Sequence, residues 1–196
     1  MRIIGGELKR KKLIPFRGDL TRPTADRVRE SIFNICASKI SDANVLDLFA
    51  GTGALGLEAL SRGAASAVFI DSAPNAVKTI AKNIESCKMA DRAKVIKWDI
   101  LKNLNCLYGK NAIYDLIFMD PPYTENAIEP TLKNLMNSDV VKNGATIIIE
   151  HAVSKSIPEN IGGYDLTDQR KYGKTLVSFL TVVLQKKFPE TSNIGI

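Results

Sequence analysis

An apolar run, Tyr114-Asp115-Leu116-Ile117-Phe118-Met119, leads directly into Asp120-Pro121-Pro122-Tyr123. Proline fixes φ near about −65°, has no N–H and pushes the residue before it to an extended conformation, so Asp120 is held at a strand end with its carboxylate outward. The carbonyl of Pro121 is left without a regular ladder partner. One amine with two N–H groups satisfies both acceptors, and Tyr123 offers a ring on which a flat base can stack, an interaction of about 1–3 kcal/mol. The competing reading is a tight proline turn with Tyr123 as a core plug.

A second constellation lies upstream. Gly51-Thr52-Gly53-Ala54-Leu55-Gly56 has the spacing G-x-G-x-x-G between a strand pattern and a helix pattern, and Asp71 follows Gly51 by twenty residues. Glycines let backbone approach a ligand closely, and an acid ending the next strand accepts from ribose hydroxyls. Asp47, four residues before Gly51, places a carboxylate where a pyrophosphate is repelled and an ammonium group welcomed. Trp98-Asp99 adds a flat ring and an acceptor suited to adenine. S-adenosylmethionine carries ammonium, ribose and adenine in that arrangement; a nicotinamide dinucleotide fits it less well.

The elements that must position these groups alternate. Residues 44–49, 67–71, 94–99, 114–119 and 145–150 read as short strands, those at 44–49 and 114–119 buried, with helical periods at 24–36, 54–62, 77–87 and 129–137 between or before them. Strands alternating with helices imply a parallel sheet covered on both faces. Residues 164–171 and 175–184 read as two further strands; only Tyr172-Gly173-Lys174 separates them, too short for a parallel crossover, so they form an antiparallel hairpin. The expected fold is α/β, with a mostly parallel seven-stranded sheet. The division is a basic N-terminal hairpin or arm at 1–20, a main domain at 21–188 and a flexible tail at 189–196.

Among 196 residues, 27 are Lys or Arg and 21 Asp or Glu. Residues 1–30 hold nine basic side chains against Glu7, Asp19, Asp26 and Glu30, whereas the remainder is nearly balanced. The surplus is thus concentrated in one segment, as expected for contact with a phosphate backbone. No apolar run is long enough to span a membrane, and Lys9-Arg10-Lys11-Lys12 interrupts any signal-peptide core. Cys36, Cys87 and Cys106 have neither disulfide-framework nor zinc spacing, and a single histidine, His151, cannot build a metal site. A cytoplasmic protein without metal is expected.

Residues 45–53, Val-Leu-Asp-Leu-Phe-Ala-Gly-Thr-Gly, resemble motif I of class I methyltransferases, and Asp120-Pro121-Pro122-Tyr123 resembles the (D/N/S)-P-P-(Y/F) motif of amino-methyltransferases. With Ile3-Ile4-Gly5-Gly6, the block Arg22-Pro23-Thr24-Ala25-Asp26-Arg27-Val28-Arg29-Glu30 and residues 53–62, the chain closely resembles, over nearly its full length, the RsmD family of bacterial 16S rRNA guanine-N2 methyltransferases.

This resemblance implies a Rossmann-like class I methyltransferase fold and methyl transfer from S-adenosylmethionine to a guanine N2 amine in 16S rRNA, within an assembling small subunit and by a monomer. It implies that Asp47, Phe49, Ala50, Gly51, Thr52 and Gly53 surround the methionine part of the cofactor. Asp71 with Ser72 would bind ribose, and Asp99 with Ile100 the adenine end. Asp120, bordering cofactor and base, would act with Pro121 and Tyr123 as the catalytic clamp. Arg2, Lys9, Arg10, Lys11, Lys12, Arg22, Arg27 and Arg29 would contact RNA. Two alternatives remain: a DNA adenine-N6 methyltransferase using the same clamp, and a non-catalytic RNA-binding protein of the same fold.

Overall fold

The structure is a computed structural model describing residues 1–15, 23–108, 113–122, 126–158 and 162–184. Arg22, Tyr123 and the expected tail at 189–196 lie outside the described residues. In chain order the elements are α1 (Pro23–Ile35), β1 (Asn44–Leu48), α2 (Ala54–Ser61), β2 (Ser66–Asp71), α3 (Pro74–Ser86), β3 (Ala93–Lys97), β4 (Tyr114–Met119), α4 (Ile128–Met136), β5 (Val141–Ala152), β6 (Tyr164–Tyr172) and β7 (Thr175–Val182).

The seven strands form one sheet in the order β3-β2-β1-β4-β5-β7-β6. The first five are parallel, and β7 enters antiparallel between β5 and β6. Gly173, at φ 62°, begins the two-residue turn from β6 to β7, a backbone that glycine adopts without steric cost. β6 forms an edge, and its exposed Gln169, Arg170 and Lys171 discourage pairing with another strand. This is the class I methyltransferase order. It reverses between β1 and β4, and open α/β sheets bind ligands beyond the strand ends at such a switch point.

Alternation along the central strands divides the core. Val45, Leu116, Phe118 and Ile148 face one cluster with Val28, Ile32 and Phe33 of α1 and Leu57 and Leu60 of α2. Leu46, Leu48, Ile117, Met119, Ile147 and Ile149 face the other, against Leu132 and Leu135 of α4. In α3, Ala76, Ile80 and Ile84 recur every fourth residue to make the buried stripe. Asp26 lies within the first turn of α1, paired with Arg29 and Arg2.

The N-terminal segment is tied down by polar groups. Its two short runs meet at a single antiparallel bridge, Arg2 to Lys12, and Ile3 and Leu13 enter the core of the main domain. Its two runs exchange a few backbone bonds, Ile3 N–H to the Lys11 carbonyl and Leu13 N–H to the Met1 carbonyl among them, and other groups find partners on α2. The fully buried Glu58 carboxylate accepts the N–H groups of Ile4 and Gly5, each at 2.7 Å. Ser61 accepts from Leu8 N–H at 2.9 Å and donates to the Gly5 carbonyl at 2.7 Å.

No helix is long and apolar enough to cross a membrane among the described residues. None of the three cysteines forms a disulfide; Cys36 and Cys87 are buried.

Candidate active site

β1, β2, β3 and β4 release their chains at the same sheet edge, where a cleft of about 530 Å³ opens. This is within the ordinary range for a small-molecule site. Asp71 ends β2 and lines the cleft. Its Oδ2 accepts Gly51 N–H at 2.9 Å and its Oδ1 accepts Ala73 N–H at 2.8 Å, which fixes the carboxylate between the glycine turn and the start of α3. Each oxygen has two acceptor positions, so one on each stays available for a hydroxyl pair. Ser72 lies beside it on the cleft wall.

β3 stops at Lys97, so Trp98 and Asp99 lie beyond the strand rather than closing it. Both line the cleft with Ile100 and Leu101. The indole N–H donates to the Asn103 carbonyl at 3.0 Å, and Asp99 Oδ1 accepts Leu101 N–H at 3.2 Å, which orders this wall. On the glycine side, Phe49 and Gly51 have positive φ, 59° and 54°. A side chain on Gly51 would project into open space, its Cβ meeting only the Phe49 carbonyl oxygen at 3.9 Å; because Gly51 lines the cleft, that Cβ would occupy the cradle itself. A flat ring, carboxylates and a glycine cradle fit an adenosine joined to a cationic group rather than a pyrophosphate.

Asp120 and Pro121 follow β4 into the same cleft, together with Pro122. Asp120 is exposed and Pro121 buried, so the acid reaches the opening while the proline is locked by packing. The stacking partner expected at Tyr123 lies outside the described residues.

Asp47, Ala50, Thr52 and Gly53 are not on the cleft wall. Asp47 is 2% exposed and accepts Gly56 N–H at 2.9 Å; the expected ammonium contact is therefore corrected to a bond holding the first turn of α2 behind the glycine loop. Burial pushes its carboxyl up to about 8, despite the Gly56 bond. The folded chain keeps that proton through a range where the unfolded chain, near 3.8, has lost it. Stability contributed by the proton is complete below the unfolded value and declines as pH rises toward about 8. Asp47→Asn is expected to remove this slope, so that denaturant midpoints show the variant gaining on wild type between pH 5 and pH 8; parallel pH profiles would refute the assignment.

Of the basic residues, Arg2, Lys9, Arg10, Lys12 and Arg27 are exposed and Lys11 is half-buried. The exposed five border a groove of about 790 Å³ between the N-terminal segment and α1. Arg29 departs from the RNA-contact expectation and is corrected: it is 5% exposed, and its Nη2 donates to the Arg2 carbonyl at 2.5 Å and to Asp26 at 3.1 Å. Its Nε faces Glu58 at 3.9 Å. Desolvation lowers its pKa, against the opposing pull of Glu58 and Asp26. Arg22 lies outside the described residues. His151 is buried between the Ser178 hydroxyl, at 2.8 Å, and the Ala152 carbonyl, at 3.1 Å, away from the cleft.

Three residues of consequence were missed in the sequence. Glu150 lines the cleft; the available signal was an acid ending the run 145–149, just as Asp120 ends 114–119. Glu58 and Asn83 gave no such signal, since each reads as a polar position on a helix. Asn83 is fully buried, accepting Ile14 N–H at 2.8 Å and donating to the carbonyls of Ile14 and Thr52 at 3.1 and 2.9 Å, thus joining the N-terminal segment to the glycine loop.

Residues 1–181 match the family described as Conserved hypothetical protein 95. The Ribosomal RNA small subunit methyltransferase D of Escherichia coli (strain K12) is 37% identical over 175 residues, which span 89% of this chain and 86% of that protein. The solved structure of yhhF from Escherichia coli superposes with a TM-score of 0.81 at 34% identity, covering 94% of this chain and 99% of that one. SMU.776, solved in complex with SAH, shares the fold at a TM-score of 0.62 and 16% identity, over 80% of this chain and 48% of that one. With the family matched across nearly the whole chain and the strand order of the fold in place, this protein belongs to the Conserved hypothetical protein 95 family, the RsmD family of ribosomal RNA small-subunit methyltransferases.

Proposed function

We propose that this protein transfers a methyl group from S-adenosylmethionine to the exocyclic N2 amine of one guanine in 16S rRNA, in the assembling small subunit. The observation that carries the reading is a single cleft in which the acceptors of Asp71 and Asp99 and the clamp of Asp120 and Pro121 meet. The small-subunit rRNA methyltransferase of Escherichia coli supports the substrate, and the SAH held by SMU.776 supports the cofactor class. It is read as a monomer acting in the cytoplasm.

Bound S-adenosylmethionine would supply an electrophilic methyl group on a sulfonium centre. Phe49, Gly51, Asp71, Ser72, Asp99 and Ile100 would hold it, Asp71 accepting from the ribose hydroxyls. Asp120 and the Pro121 carbonyl would accept the two N–H groups of the base amine. An exocyclic amine is flattened by conjugation with its ring, and these two bonds favour the pyramidal nitrogen whose lone pair can attack. As the new N–C bond forms and the methyl–sulfur bond breaks to leave neutral S-adenosylhomocysteine, positive charge would pass to nitrogen, where the Asp120 carboxylate would stabilise it more than it does the neutral amine. The surplus N–H proton leaves through exposed Asp120 to water. Reaching a paired base requires flipping it out at a cost of a few kcal/mol.

Calorimetry with S-adenosylmethionine beside mass mapping of methylated 16S rRNA tests the assignment; a methyl on adenine N6 would favour the alternative DNA-type clamp chemistry. The basic groove yields a separate expectation. Replacing Lys9, Arg10, Lys11 and Lys12 by alanine should weaken rRNA binding and reduce the slope of log affinity against log salt by about 0.7–0.9 for each phosphate that is no longer neutralised. An unchanged slope would exclude the segment as the backbone contact.

A further inference from the structure

We propose that Arg170 and Lys174, at the β6–β7 turn, form a second contact for the rRNA backbone, so that the strand carrying the target base is held on both sides of the cleft. This rests on the methyl-transfer reading above and concerns how the RNA, not the cofactor, is gripped.

The turn lies at the sheet edge where the cleft opens. Glu150, on the cleft wall, is in register with Val177, and Ala152 with Thr175. The chain after β5 is bonded to the turn itself, Val153 N–H donating to the Lys174 carbonyl at 3.1 Å. Lys174 is three residues along the chain from Val177, about 10 Å at the usual strand rise. The N-terminal segment is fastened elsewhere, at the loop after β1: the Thr52 hydroxyl donates to the Met1 sulfur at 3.2 Å, and Asn83 joins Ile14 to the Thr52 carbonyl. The strand order β1-β4-β5-β7-β6 sets the loop after β4, with Asp120 and Pro121, between these two points. From β1 to β6 is four strand spacings, about 19 Å.

The positive charge at the turn is available. Arg170 and Lys174 are exposed, and Lys174 forms no ion pair among the described residues. Arg170 engages Asp168 through Nε at 3.0 Å, which leaves its two terminal nitrogens for a phosphate. Arg170 is paired with Val177, whose side chain belongs to the core cluster under α1, so Arg170 is on the α1 face of the sheet. On that face the Tyr172 hydroxyl is hydrogen-bonded to Ser31 of α1. One helical turn earlier Arg27 borders the basic groove of the N-terminal segment. Glu30, exposed on the same helix, interrupts the positive charge, which suits two separate anchors rather than one continuous stripe. Lys171 is exposed as well but alternates to the opposite face.

Phosphate contacts fix the register and orientation of a nucleic acid. A single anchor leaves the strand free to pivot about it. Two anchors flanking the clamp set which nucleotide faces Asp120 and hold the backbone on either side of a base taken out of its stack.

The test measures binding to small ribosomal subunits whose target guanine is unmethylated, across a range of salt, beside methyl transfer. Arg170→Gln with Lys174→Gln should reduce the slope of log affinity against log salt by about 1.4–1.8, for two phosphates no longer neutralised. The deficit relative to wild type should therefore shrink about tenfold between about 50 and 200 mM salt. Lys174→Gln alone should give about half the change in slope, whereas Lys171→Gln, the same loss of charge on the other face, should leave the slope close to that of wild type. All variants should keep the S-adenosylmethionine affinity and unfolding temperature of wild type.

An unchanged slope in the double variant, with methyl transfer by wild type intact, would overturn the second contact alone. Equal effects of Lys171→Gln and Lys174→Gln would overturn it too, by reducing the effect to net charge. A loss of cofactor affinity or of thermal stability would place the turn in the cofactor site or the fold instead. Absence of transfer to guanine by wild type would overturn the parent reading and this one with it.

Discussion

Asp120→Ala is expected to lower methyl transfer by at least about 10²–10³-fold, the usual cost of removing one group that stabilises developing charge, while S-adenosylmethionine binding changes little. The separation follows from the architecture. The acceptors proposed for the cofactor lie on Asp71, which ends β2, and Asp99, beyond β3, and the Asp71 carboxylate is fixed by Gly51 and Ala73. Asp120 leaves β4 at the far side of the cleft, directed by two prolines. Loss of its carboxylate removes one of the two acceptors for the amine and the charge opposite the nitrogen that becomes positive. Asp120→Asn separates these effects, because an amide oxygen still orients the amine but carries no charge; an intermediate rate is expected. Calorimetry with S-adenosylmethionine and single-turnover transfer to rRNA measure the two quantities. Full activity of Asp120→Ala would remove Asp120 from the mechanism, and equal losses in binding and transfer would place it on the cofactor.

The second large effect concerns Glu58. Its carboxylate, fully buried, receives the N–H groups of Ile4 and Gly5 and Arg62 Nε, the last at 2.8 Å, with Arg29 nearby. Glu58→Ala leaves two backbone N–H groups and two guanidinium groups facing a buried gap. Breaking a buried charge pair by removing one partner costs about 3–5 kcal/mol. For a chain of this size that corresponds to a fall in Tm of roughly 6–20 °C. Glu58→Gln keeps an acceptor and should lose less. Thermal unfolding of both variants checks the expectation; a change below about 1 kcal/mol in Glu58→Ala would mean that the surroundings supply replacement partners. Because Ile4 and Gly5 are held by this carboxylate, a partly folded variant should also bind rRNA more weakly than cofactor, linking the core to the basic groove.

Where an element's role depended on local pattern, the sequence was readable. Short apolar runs with helical periods between them marked the central parallel strands, since a strand buried on both faces must be apolar throughout; β3, at the sheet edge with Lys94 and Lys97 exposed, was marked by its place in the alternation. The short link around Gly173 required an antiparallel hairpin, although β7 lies inside the sheet and β6 at its edge. Gly51, Asp71, Asp99 and Asp120 were legible because chemistry at the carboxyl ends of strands needs specific residue types at fixed offsets from apolar runs. Arg29 shows the limit: in sequence it is one of several arginines at a helix start, yet helical phase turns it onto the core beside Val28 and Ile32, where Glu58 and Asp26 receive it.

By itself, then, the sequence determined the α/β order, the family resemblance, the place of Asp120 and Pro121 at a strand end and the basic N-terminus, all of which are written in local spacing. Only the tertiary structure decided which carboxylates reach the cleft and which are structural. Asp47 and Glu58 became internal acceptors, whereas Glu150 came to line the same cleft as Asp120. The reason is that burial and neighbourhood arise from strand register and helix phase between segments tens of residues apart. A carboxylate's role is set by what surrounds it after those segments pack: N–H donors and low dielectric hold Asp47 and Glu58 inside, and β5 brings Glu150 to the cleft wall.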